Sequence, residues 1–482
     1  MVFNSIAFLV FFILFFTLYW SVLNKNLTVQ NLFLLAACYV FYAWVDWRFL
    51  FLLIANSTVN YFLGIYISKD ADEKRRKILF YIGLIFGIGI LLYFKYFNFF
   101  VSSVAGVFSI LHINLNIHTI KILLPLGISF YTFRTLSYII DIYQGKTKPV
   151  TDWVVFFSYV AFFPCVVSGP IDRANLLVPQ LEKKRVFTYE SGVDGIRQIL
   201  WGLFKKIVIA DTCAIISDQI FDHYQTLPGS TLFIGAFFFC VDLYADFSGY
   251  SDIAIGVARL LGFNVTRNFN YPYFAQNIPD YWRRWHISLT SWVTDYVFTP
   301  LSISLRDYAK WGTILAIILN MVIVGVWHGP NWTFVLYGFI SGLYFIPLIL
   351  MGTMNKRKKL DQNKLLPSFA VFKGILGTFL LTMLTDVIFR TRNVTEAFHF
   401  YARLFSGSII SRPVMHDNFY LCVVPFVTFM FAIEWVGKSE DVPIRFSKKV
   451  SPVVRYAIYF ILFYSSIAFM TKSANSFIYF QF

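Results

Sequence analysis

Apolar stretches about twenty residues long recur from one end of this chain to the other, and that pattern excludes nearly every soluble fold. They lie near 3–20, 31–46, 48–68, 78–99, 100–112, 121–143, 153–169, 193–218, 230–262, 313–328, 331–352, 371–389, 417–436 and 454–471. Lipid holds no water to satisfy backbone N–H and C=O groups, so such segments cross it as helices that close their own hydrogen bonds. Several are too short for ~30 Å of hydrocarbon at 1.5 Å per residue. The expectation is an all-α integral membrane protein, a polytopic bundle of about eleven to thirteen spans plus re-entrant or interfacial helices.

Composition agrees with this class. Of 482 residues, 58% are hydrophobic, 20% aromatic and only 14% charged, and the mean hydropathy is +0.63. A soluble chain carries about a quarter charged residues. No polar stretch is long enough to fold alone, so residues 1–482 are expected to form a single transmembrane domain. The net charge of +15 (41 Lys and Arg less 26 Asp and Glu) would suit nucleic acid in a soluble protein. Here the basic residues gather in short loops between apolar segments, which points to membrane lipid headgroups and to no nucleic acid. Cys38, Cys165, Cys213, Cys240 and Cys422 are scattered without a C-x-x-C pair and are read as packing residues. The first apolar run has no basic residue before Lys25 and no small-residue cleavage site, so it reads as a retained helix.

The basic loops also orient the chain. Residues 69–77, 182–185, 355–359 and 445–449 are expected to face the cytoplasm, which places the N-terminus and the C-terminus outside. The connection between the 371–389 and 417–436 segments then lies outside. It carries Val394, Ala397, Phe398, Tyr401, Leu404 and Phe405 at helical spacing, read as an amphipathic helix on the outer surface. No inverted or parallel repeat is visible, which argues against a secondary transporter.

The unusual polar residues cluster between about 240 and 332. Asp242 and Asp246 share one helical face in an apolar run. Carboxylates at membrane depth cost ~2.5–3.5 kcal/mol on insertion scales, so they face protein or water. They either line a passage or hold helices together. In "DYWRRWHISLTSW", Asn277 suits a cap and Pro279 a first turn. Trp282, Trp285, Leu289, Trp292 and Tyr296 then form one stripe of a continuous helix. Arg283, His286 and Thr290 form a second, and Arg284, Ser288, Ser291 and Asp295 a third. Such a helix lies at an interface or lines a wet cavity, and Arg267, Arg306 and Lys310 favour the cytoplasmic side. In "TILAIILNMVIVGVWHGPNW" the run from Thr313 to Val326 gives about 21 Å of helix, so His328 should stop short of the far surface. The break at "GPNW" frees backbone groups beside it, with Trp327 and Asn331 on either side as expected passage lining. A neutral core histidine bonded to a carbonyl is the alternative. His112, His118, His223, His399 and His416 fall in loops or at helix ends and are assigned no chemistry. There is no H-E-x-x-H, G-x-S-x-G or P-loop pattern, so no metal is expected and two isolated histidines suit acyl or proton transfer.

Several long motifs carry a family resemblance: "LPLGISFYTFRTLSYIIDIYQG", "FFPCVVSGPIDR", "DFSGYSDIAIGVARLLGF", "NFNYPYFAQNIPDYWRRWHISLTSWVTDYVFTPL", "VWHGPNWTFVLYG" and the terminal "FIYFQF". Over nearly the whole chain the sequence resembles the membrane-bound O-acyltransferase superfamily, in its bacterial alginate O-acetylation branch. The resemblance implies a multi-pass protein of the bacterial inner membrane with a central acyl-transfer passage and a motif-rich core over about 121–352. It matches His328 to the family's catalytic histidine and His286 to a second motif histidine. It further implies acetyl-CoA as donor substrate with no bound cofactor, a polysaccharide acceptor such as alginate, and an extracytoplasmic acetyltransferase as partner. Arg283 and Arg284 are the residues expected to meet the donor's phosphates. The rival readings are a D-alanyl transferase for teichoic acids and a polysaccharide or lipid transporter.

Overall fold

The computed structural model describes residues 1–113, 120–354, 356, 366–415, 422–446, 450–470 and 477. The basic loop 355–359 is thus described only at Lys356, 445–449 only at Arg445 and Phe446, and "FIYFQF" only at Phe477; His118, His416 and Phe482 lie outside the described residues. Among the described residues every regular element is helical. Six helices among the described residues are long and apolar enough to cross a membrane: Arg48–Lys69, Glu73–Ile110, Gly229–Leu260, Arg306–His328, Trp332–Leu350 and Phe369–Arg390. Four shorter apolar helices join them, Ile6–Ser21, Leu27–Ala43, Val423–Val436 and Pro452–Ala468. Some apolar runs are not continuous helices. The 153–169 run is helical only over Trp153–Ala161, and the 193–218 run is interrupted by a π-helical turn at Phe204–Ala210. Polar residues start the helices where hydropathy changes: Ser5, Asn26, Asp72 and Ser368 each accept a backbone N–H of the first turn.

The chain packs as two compact units, residues 1–192 with 257–266, and residues 193–256 with 267–482. The first unit includes the Ile6–Ser21 helix, which packs through Phe8, Phe15 and Tyr19. Its most buried cation is Arg134, whose guanidinium donates to the carbonyls of Tyr159 and Pro170, both at 3.1 Å. Those carbonyls border the non-helical Phe162–Arg173 stretch, so an arginine satisfies backbone groups that a helix would have satisfied itself.

In the second unit, glycines let backbones meet. A Cβ on Gly202 would lie 2.6 Å from the Gly249 carbonyl oxygen, and one on Gly256 2.6 Å from that of Gly195. The approach brings the π-helical turn against the Gly229–Leu260 helix, where Lys205 pairs with Asp252 and Lys206 with Asp246, each at 2.5 Å. Lys206 also reaches Asp211 at 2.9 Å. Ala309–His328 and Trp332–Leu343 form a tight hairpin. A Cβ on Gly325 would lie 2.1 Å from the Phe334 oxygen, and one on Gly338 2.3 Å from the Met321 oxygen.

Two expectations are corrected here. The helix at Val394–Leu404 buries Ala397, Phe400 and Leu404, whereas Phe398 and Phe405 are 63% and 62% exposed. The buried stripe runs through Phe400 because that ring stacks on Phe221, a partner that periodicity alone does not reveal. Four cysteines are buried as expected, but Cys422 is exposed.

Gly338→Ala is expected to lower thermal stability and membrane abundance, since overpacking costs about 1–3 kcal/mol when backbone must move. Gly89→Ala, where nothing lies within 4 Å, is expected to be neutral or slightly stabilising. Melting of the two purified variants in detergent checks the contrast.

Candidate active site

The site is built around an interrupted helix. His328 is the last residue of Ala309–His328, and Gly329 leaves helical space with φ −175°. The helix has 20 residues, ~30 Å, rather than the expected 14. His328 therefore sits at the end of a full-length span, because helix begins already at Ala309 after the turn at Arg306–Tyr308. Asn331 caps the returning helix, its side-chain oxygen accepting from Thr333 N at 3.1 Å and its amide donating to the Arg392 carbonyl at 2.8 Å. This gives Asn331 a backbone-satisfying role at the break. His328 is buried, with Phe389 edge-on at 5.0 Å and Tyr337 at 6.1 Å between ring centroids.

The continuous helix expected from Asp280 is broken as well. Asn277 caps Ile278–Trp282 as anticipated, but His286 takes the left-handed backbone, φ 41° and ψ 55°, and a second helix covers Ile287–Val293. A non-glycine residue rarely adopts that conformation without support. Here Asn268 provides it: its carbonyl accepts from Ile287 N at 2.8 Å and its side-chain oxygen from Ser288 Oγ at 2.6 Å. The three stripes do not continue through His286, since pairing with the 268–270 loop replaces helical bonding. The segment is also buried within the protein, with Tyr281, Trp282, Trp285, Leu289 and Trp292 all in the core.

The left-handed turn sets His286 beside Trp327. The rings of His286 and Trp327 lie 5.5 Å apart, and those of Trp327 and His328 5.1 Å, so the two histidines flank one indole. Phe247 closes the other face of His286 at 4.7 Å. Burial holds the His286 imidazole well below the usual histidine range, and a charge on His328 would push it lower still. His286 thus rests neutral, able to accept a proton only transiently.

The remaining expected residues are distributed around this pair. Trp327 joins them directly. Asp242 and Asp246 are buried on Gly229–Leu260, and Asp246 is bound by Lys206. Arg284 is held by Asp280 at 3.1 Å and by the Asn270 carbonyl at 3.3 Å, while Arg283 is exposed. Sequence reasoning missed the twin lysines, although "FKK" inside an apolar run was a readable signal. It also missed Asp386, which is 1% exposed and has a side-chain oxygen, Oδ2, without a hydrogen-bond partner. Asp386 lines a chamber of about 10 Å³ with Tyr281, Trp282, Tyr337, Ser341 and Thr385, room for roughly one water. Tyr337 is shared between this chamber and His328.

Comparison with known proteins is decisive at this point. Residues 150–382 match the family model "MBOAT, membrane-bound O-acyltransferase family". The chain is 37% identical over 410 residues to a protein of Azotobacter vinelandii named as a probable alginate O-acetylase AlgI, covering 84% of this chain and 78% of that one. The chain belongs to the membrane-bound O-acyltransferase family. It is also 29% identical over 422 residues to the peptidoglycan O-acetyltransferase of Helicobacter pylori, covering 82% of this chain and 76% of the relative. A teichoic acid D-alanyltransferase of Streptococcus thermophilus is 31% identical over 284 residues, which is 55% of this chain and 68% of the relative. The family and the branch inferred from motifs are those found, and the protein is a membrane-integral O-acyltransferase.

The depressed basicity of His286 has a consequence for stability. In the unfolded chain a histidine takes up a proton near pH 6.5, whereas folded His286 does not until well below that. The unfolded state therefore binds more protons as pH falls through about 6.5, and folding stability declines. His286→Asn is expected to reduce the drop in melting temperature between pH 7 and pH 5, measured beside the parent protein in the same detergent.

Proposed function

We propose that the protein takes acetyl groups from acetyl-CoA at the cytoplasmic face and passes them across the membrane for O-acetylation of an extracytoplasmic polysaccharide, alginate or a similar glycan. The observation that carries this reading is the pair His286 and His328 flanking Trp327 at a helix break. Acyl transfer needs a base that accepts a hydroxyl proton as the oxygen attacks the thioester carbonyl. The departing thiolate then takes that proton back. His328 is assigned this role, with His286 auxiliary. Asp242, Asp246 and Trp327 are assigned to the wall of the passage.

Orientation follows from the loops. In the hairpin, the connection toward the basic 355–359 loop leaves from the end of Trp332–Leu343 opposite the His328 turn. If that loop is cytoplasmic, His328 lies toward the outside of the bacterial inner membrane, with both chain termini outside. Arg283, exposed within a buried segment, is assigned to the donor's phosphates; a charged side chain at such depth faces water rather than lipid. Arg284 supports it through Asp280. An extracytoplasmic acetyltransferase partner is assigned to the exposed Phe398 and Phe405 face of Val394–Leu404. A D-alanyl transferase would draw on a carrier protein instead of acetyl-CoA, and a transporter would not need His328.

His328→Ala is expected to abolish O-acetylation, a loss of at least roughly a hundredfold, with membrane abundance retained. Near-normal polymer acetylation in that variant would remove His328 from the mechanism. Arg283→Gln is expected to raise the apparent KM for acetyl-CoA about ten- to a hundredfold, with turnover at saturating donor kept. Donor titration on abundance-matched membranes reads this, and an unchanged KM sinks the phosphate assignment.

A further inference from the structure

One buried carboxylate takes no part in the chemistry assigned to the histidines. Asp386 stands on Phe369–Arg390, three residues before Phe389, whose ring packs on His328. It is buried, and its Oδ2 has no hydrogen-bond partner. Among the described residues no lysine, arginine or histidine is paired with it. Arg390, one turn further along the same helix, is bound by Asp218 at 2.5 Å. A carboxylate buried in this way is strongly unfavourable as an ion unless a cation compensates it.

The chamber that Asp386 lines is rich in hydroxyl oxygens. Thr382 and Thr385 stand beside it on one helical face, and Ser341 and Tyr344 belong to the facing segment. Thr382 Oγ1 donates to the Phe379 carbonyl at 2.9 Å, and Thr385 Oγ1 to the Leu381 carbonyl at 2.8 Å. The Thr385 proton being committed, the Tyr344 hydroxyl is the donor in its 2.8 Å bond to Thr385. These three hydroxyls thus spend their single protons away from Asp386 and keep lone pairs in hand. A water could give protons to such acceptors but would leave the negative charge uncompensated. A cation answers both needs.

Charge and size narrow its identity. One carboxylate balances one positive charge. Calcium takes about six to eight oxygens and magnesium keeps several waters, and a chamber of about 10 Å³ has room for neither arrangement. The same volume excludes an organic cation. The sequence patterns that argue against zinc do not bear on a site made of hydroxyls from two helices.

We propose that Asp386, Thr382, Tyr344 and Ser341 form a sodium site, with Thr385 holding the Tyr344 hydroxyl in place. The ion ties Phe369–Arg390 to Trp332–Leu350, the two helices that supply Phe389 and Tyr337 as ring neighbours of His328. It is therefore a positioning ion for the wall of the histidine site. The proposal does not rest on the acyl-transfer reading, and its test contains no acyl donor.

The test is equilibrium binding of radioactive sodium to the purified full-length protein in non-ionic detergent and sodium-free choline buffer, with thermal melting in parallel. About one ion per chain is expected to bind saturably in the millimolar range, with potassium competing at least about tenfold more weakly. Sodium at fixed ionic strength is expected to raise the melting temperature by at least about 2 °C over choline. Asp386→Asn and Thr382→Val should each weaken sodium binding about tenfold or more and lose the melting response. If Asp386→Asn does not fold, Thr382→Val decides. The proposal is overturned by absent saturable binding in the parent protein, by undiminished binding in a well-folded variant, or by potassium binding as tightly as sodium. It is equally overturned if Asp386→Asn melts like the parent and neither responds to sodium, the result expected of a carboxyl that simply keeps its proton.

Discussion

Everything at the histidine site depends on how a helix can be broken inside a protein that crosses lipid. A break leaves carbonyls and N–H groups without intrahelical partners, and hydrocarbon cannot supply any. At Gly329 and Pro330 the chain answers with Asn331, whose one side chain caps the returning helix and bonds the Arg392 carbonyl. At His286 it answers with Asn268, which takes the backbone and side-chain donors of the next helix. At both breaks freed backbone groups are thereby bonded by the protein itself. That is why His286 and His328 sit in fixed places rather than on mobile loops.

The buried charges serve the same arrangement from behind. Lys205 and Lys206 stand on a π-helical turn and reach Asp252 and Asp246 one turn and more apart on the facing helix. Removing one partner of such a pair is costly, about 3–5 kcal/mol, because the other charge is left unpaired in the interior. The pairs therefore fix the register of Gly229–Leu260, the helix from which Phe247 closes the face of His286. Asp246, expected from sequence to line the passage, is bound by Lys206 and so helps hold this helix in register.

The class of fold was legible because hydropathy is a one-dimensional property, and the family because its motifs are long. The histidine pair was legible in part: the break at "HGPN" marks His328, since glycine followed by proline favours a helix end. His286 was placed on the wrong kind of element. Its stripes fit a helix, and only the contact with Asn268, eighteen residues earlier, turns the backbone left-handed. The same limit explains Phe400, buried by Phe221 from a distant helix, and Asp386, whose chamber is assembled from three separate segments. Periodicity reads what a segment does by itself. These residues are placed by what other segments do to them.

The aromatic excess of the chain acquires a purpose at this scale. Phe247, Trp327, Tyr337 and Phe389 enclose the two imidazoles edge-on, the geometry that ring quadrupoles favour. A shell of packed rings excludes water without adding competing hydrogen-bond groups. The same dryness keeps His286 neutral, so a proton placed on it is readily surrendered. The acidic groups Asp252, Asp246 and Asp280 are tied to Lys205, Lys206 and Arg284.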